Sequence, residues 1–127
     1  MTKAIMIPWD AVEPIVEVEL RADPFEQMEG LIFGPVAKGA TRRNLGSATM
    51  GQGVQCFHDD EGMYNQPFNV NVRAMKLWAH VSGRKLSDFV QPLWGNFVVY
   101  GYDEAGESTD VPAIVTEFFA EDGVTNA

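Results

Sequence analysis

The sequence predicts an α+β domain, a mainly antiparallel sheet with helices packed on one face, and three stretches predict it. Residues 12–20 alternate apolar and acidic side chains, the period of two that marks a half-buried strand. Residues 71–83 place Ala74, Leu77, Trp78 and Val81 at i, i+3, i+4 and i+7, one apolar stripe on a helix. Residues 95–102 are dense in Phe, Val and Tyr, the composition of a strand. Strand and helix patterns interleave without a regular βαβ rhythm, which favours antiparallel pairing. A length of 127 residues suits a single domain spanning 1–127.

Taken in order, Lys3–Ile7 is a short apolar strand closed by Pro8. In the alternating stretch Val12, Pro14, Val16, Val18 and Leu20 share one side, and Glu13, Glu17 and Glu19 the other. Pro14 cannot donate to a ladder, so this is an edge strand blunted by glutamates, or one that starts after the proline. Asp23-Pro24-Phe25-Glu26 has the form of a capping box, with a short helix ended near Gly30 and burying Phe25, Met28 and Ile32. Residues 38–53 are rich in glycine and small side chains without a sustained period, and are expected to form a flexible loop. Val54–His58 is a strand, and Asp59-Asp60-Glu61-Gly62 a turn into a short return at Met63–Asn65. Asn71 is placed to cap the central helix and Gly83 to end it. After the strand at 95–102 comes a polar turn, Asp103–Ser108. A last helix then follows, with Thr109 or Asp110 as cap, Pro112 just inside, and Ile114, Val115, Phe118 and Phe119 on its apolar face. Residues 123–127 should fray.

Charge is unevenly laid out. Residues 1–29 have a net charge of −5 and residues 103–127 one of −7 with no basic side chain, whereas 30–102 carry +3, against −9 overall. Direct nucleic-acid binding needs a dominant basic field and is not expected. The central helix turns Arg73, Lys76 and His80 to one side, extended by Arg84, and the glycine-rich stretch adds Arg42 and Arg43. Such a face, with Asn71 at its head, would either hold an anionic nucleotide or signalling ligand or pair with the acidic ends of the same chain. The acidic side chains Asp103, Glu104, Glu107, Asp110, Glu117, Glu121 and Asp122 form the candidate surface for a basic partner.

Catalytic signals are thin. Gly46-Ser-Ala-Thr-Met-Gly51 has the glycine spacing of a phosphate-binding loop, but Gln52 and Gly53 stand where that motif needs Lys and Ser or Thr. Cys56 and His58 are two apart and face one way on a strand, short of the four ligands of a zinc site. Asp59, Asp60 and Glu61 precede a glycine and have the chemistry of a turn. No catalytic residue, metal or cofactor is assigned. The lone cysteine permits no internal disulfide, no apolar run reaches bilayer-spanning length, and no signal-peptide pattern is visible. These features point to the cytoplasm and against a membrane partner.

The chain resembles an uncharacterised family of small proteins of actinobacterial phages, plasmids and related bacteria. The likeness rests on Lys3–Pro8, on Asp60-Glu61-Gly62, on Asn71-Val72-Arg73-Ala74 followed by Leu77-Trp78, and on Gly95–Glu104. It departs from that family in the Pro67–Asn71 approach, the Gly-rich insertion at 44–53 and the longer acidic C-terminus. The resemblance implies no enzyme activity; it implies an accessory protein of a mobile element, acting in the host cytoplasm. The expected function is binding of a host macromolecule, for takeover or anti-defence, with nucleic-acid mimicry by the acidic surface as one form. A homodimer through Phe118 and Phe119 is the other association considered.

Overall fold

The computed structural model describes residues 2–34, 44–120 and 124–126. Its strands are β1 (Thr2–Ile7), β2 (Ile15–Leu20), β3 (Leu45–Gly51), β4 (Val54–Asp59), β5 (Phe97–Tyr102), β6 (Ser108–Thr109) and β7 (Val124–Asn126). The helices are α1 (Phe25–Phe33), α2 (Gly62–Asn65), α3 (Val72–Ser82) and α4 (Ala113–Phe118). The strands form one sheet in the order β3-β4-β5-β1-β2-β7, with β6 paired to the end of β5. Every pairing is antiparallel except β2 with β7. The α+β class and the antiparallel character follow directly.

The helices do not share one face, as the sequence suggested. Successive strand residues point to opposite sides, and both sides are covered. Ala4, Val18, Leu20, Val98 and Tyr100 meet Met28, Ile32 and Phe33 of α1. On the other side Ile5, Ile7, Ile15, Phe97 and Val99 meet Ala74, Leu77 and Val81 of α3, Val115 of α4 and Phe119 just after it. This is why Phe97, Val98, Val99 and Tyr100 are all buried and β5 shows no alternation. It also explains Ile15, which lies on the side expected to be polar yet is buried under α4.

Several local expectations are corrected. Leu45–Gly51, read within the flexible loop 38–53, is the edge strand β3, paired with β4; residues 38–43 lie outside the described residues. Its glycines serve a tight connection: Gly51, Gln52 and Gly53 all have positive φ (114°, 50° and 74°). Gln52, the one non-glycine residue among the described residues with positive φ, donates its Nε2–H to Val81 O near the end of α3 at 2.7 Å. β2 begins after Pro14, but it is not an edge, because β7 runs parallel to it from Ile15↔Val124 to Glu17↔Asn126. Val124–Asn126 falls in the stretch expected to fray. Asp23 does not cap α1; Pro24 stands at the N-cap without a side-chain bond, and the helix runs past Gly30 to Phe33, leaving Phe25 exposed. Neither Thr109 nor Asp110 caps α4. Asp110 instead accepts the Lys3 backbone N–H at 2.8 Å, while Pro112 holds the N-cap position.

The central helix forms as its sequence dictates. Asn71 Oδ1 accepts the Ala74 N–H at 3.0 Å, and Gly83 closes the helix in the left-handed conformation. The cap does more than start the helix. Asn71 is fully buried, and its Nδ2 donates to Ile7 O at the end of β1 and to Gly95 O before β5, both at 2.9 Å. Its backbone N–H reaches Leu93 O at 2.8 Å. One side chain thus ties α3, β1 and the approach to β5 together. Replacing it by alanine removes a helix cap and strands two buried carbonyls, so Asn71→Ala should cost about 3 kcal/mol. Urea denaturation would read this as a lower midpoint at unchanged slope.

Candidate functional site

The basic stripe of α3 takes shape but does not converge on open space. Arg73 directs Nη2 to Pro8 O and Asp10 O at 2.8 and 2.9 Å, so its guanidinium closes the β1–β2 connection. The His80 ring stacks on Phe118 of α4, centroids 4.7 Å apart and planes 28° apart. That contact also occupies Phe118, one of the two side chains considered for a dimer face; the other, Phe119, is buried in the core. Lys76 and Arg84 are exposed. Asn71, expected to touch a ligand, is buried and engaged by the three elements it joins. Arg42 and Arg43 lie outside the described residues.

The acidic candidates are more openly placed. Asp103, Glu104 and Glu107 are all exposed on the turn that leaves the end of β5. This turn is internally braced. Asp103 N donates to Glu107 O at 3.0 Å, Gly106 N to Asp103 O at 2.9 Å, and Glu107 N to the Asp103 carboxylate at 2.9 Å. Glu117 is exposed on α4, and Asp110 is partly spent on Lys3. Glu121 and Asp122 lie outside the described residues.

A feature the sequence reading missed lies at the other end of the same strands. Asp59, whose sequence context predicts a turn, is only 4% exposed. Its carboxylate accepts the Glu61 N–H at 2.9 Å, the Gln66 Nε2–H at 2.9 Å, and Asn65 Nδ2 at 3.3–3.4 Å. Gln66 is buried too, and through Asn69, whose carbonyl receives the Gly95 N–H, the network runs to Asn71. Gly95 has φ +79°, and a Cβ there would fall 2.6 Å from Gln66 Nε2, so only glycine fits. The visible signal was four amide side chains, Asn65, Gln66, Asn69 and Asn71, within seven residues. Their number exceeds what an exposed turn requires. Above this network opens a cleft of about 260 Å³ between His58, Asp60, Tyr64, Gln91 and Trp94.

Nucleophilic chemistry at Cys56 is not supported. The thiol is fully buried, and burial pushes its pKa from 9.0 up to about 12. Among the described residues no group of three or more His, Cys, Asp or Glu side chains is placed to hold a metal ion. No helix among them is long and apolar enough to cross a membrane. Comparison with family models, curated proteins and solved structures found no match.

Burial also raises the Tyr100 hydroxyl from 10.0 to about 12, with a smaller push from Cys56. In the unfolded chain both groups lose their protons at lower pH than in the fold. Their contribution to stability is therefore complete below pH 9.0 and declines as the pH rises towards about 12. Thermal melts across this range should show a falling midpoint. Below pH 9.0 a thiol reagent should modify Cys56 only after denaturant is added.

Proposed function

We propose that this is a non-catalytic binding protein that meets a basic surface on a macromolecular partner through its acidic β5–β6 turn. The observation that carries the reading is the presentation of Asp103, Glu104 and Glu107. All three are exposed on a turn held by its own hydrogen bonds at the end of the most buried strand. A braced turn loses little conformational entropy on association, so its charge is available at small cost. Carboxylates fixed in this way favour fast, salt-sensitive encounter with a cationic patch, including one that otherwise holds nucleic acid. The resemblance to small phage and plasmid proteins supplies the setting: an accessory role in the host cytoplasm, in takeover or anti-defence. The competing idea of an anion clamp on α3 has less support, because Arg73 is directed to backbone carbonyls and His80 to Phe118.

Capture from native host lysate tests the proposal. The partner should be retained at about 0.05 M salt and released at about 0.5 M. The double variant Glu104→Lys, Glu107→Lys should lose at least about tenfold in retention while melting as the parent does. Retention indifferent to both salt and charge reversal would end this reading.

A further inference from the structure

The cleft beside the Asp59 network has a chemistry of its own, independent of the acidic turn. It lies where β4 ends and β5 begins, the opposite end of these strands from Asp103–Glu107. Two kinds of group line it. Tyr64 and Trp94 provide aromatic surface, and the His58 ring stacks on the buried Phe97 at 5.3 Å with 17° between planes. Asp60 adds an exposed carboxylate, and the buried Asp59 also borders the cleft. The hydrogen bonds to Asp59 come from the Glu61 backbone and the Asn65 and Gln66 amides, neutral donors that do not offset a carboxylate's charge. Among the described residues, no Lys or Arg lines it.

The backbone is built to let these groups converge. Gly46 of β3 lies under His58 and Asp60; a Cβ there would fall 2.8 Å from both His58 Cε1 and Asp60 Oδ1. Both side chains therefore close over one point of the edge strand, which a larger residue would occupy. Gly62 plays the matching part on the far wall, where a Cβ would come within 2.9 Å of Trp94 Cβ.

These features select among ligands. An anion would face two carboxylates and, among the described residues, no Lys or Arg. A metal ion would lack ligands, since no suitable group of three exists among the described residues. A neutral apolar molecule would desolvate Asp60 without recompense. An organic cation gains from the aromatic faces and from the carboxylates together. We infer that this cleft binds an organic cation, a guanidinium or alkylammonium group, held against the Trp94 and Tyr64 rings by the Asp60 carboxylate. The cation is either a side chain of a partner protein or a free small molecule.

Titration of the full isotope-labelled chain with acetyl-arginine methylamide, its neutral citrulline counterpart, and tetramethylammonium tests the assignment by NMR. The Trp94 indole N–H should shift and saturate with at least one of the two cations at roughly millimolar concentration, and not with citrulline. Asp60→Asn, an exposed substitution, should weaken that binding about fivefold or more without lowering the melting temperature. A preference for the arginine probe marks a peptide-borne group, and one for tetramethylammonium a free ligand; either upholds the site. Absence of a saturating shift with both cations, an equal response to citrulline, or an Asp60→Asn variant that binds as before would overturn it. The Glu104→Lys, Glu107→Lys protein should bind the probe unchanged, so the fate of this site is read separately from that of the acidic turn.

Discussion

The fold turns on the side chain of Asn71. A carboxamide has one strong acceptor and two donors, and here all are used in three directions. The acceptor starts α3, and the donors take the last carbonyl of β1 and the carbonyl of Gly95 on the way into β5. Few other side chains could do this, because aspartate lacks the donors and serine lacks the reach. The position is fully buried, so each bond replaces one that water would otherwise make. The helix is thereby set in register with the two neighbouring strands at the centre of the sheet.

Around that junction the chain spends polar groups where small domains usually spend apolar ones. Asp59, Gln66 and Asn71 are all buried, and Gly95 is held at positive φ between them. A buried hydrogen-bonded network of this kind specifies one arrangement more sharply than apolar packing does, because a slip breaks bonds that water cannot replace. The two apolar clusters on either side of the sheet supply the bulk of the burial, and the network fixes how α2, α3 and β5 are joined. The cleft is the outer surface of this junction, and its shape follows from residues engaged in holding the fold.

The charge layout acquires a different meaning once folded. The cationic ridge read along the central helix is partly absorbed, with Arg73 serving the Pro8–Asp10 connection and His80 lying on Phe118. Negative charge stays outward at the Asp103–Glu107 turn and again at Asp60.

The central helix with its cap at Asn71 and its stop at Gly83 was legible from local chemistry, because capping and helical spacing act within a few residues. The strands 2–7, 54–59 and 97–102 were legible for the same reason. β3 was not, since its glycines at 46 and 51 read as loop; they are needed for contacts with His58 and Asp60 and for the turn at Gln52. Nor was the burial of Asp59, whose partners Asn65 and Gln66 reach it only after α2 turns the chain back. That α1 and α3 cover opposite faces also lay beyond reach, because Ile15 and Val16 both look apolar and periodicity cannot say what lies above each. By itself the sequence determined the α+β class, the main helix and the acidic flanks. Tertiary structure alone decided which face each helix covers, which polar groups are interior and where a cleft opens, because those depend on contacts between residues far apart in the chain.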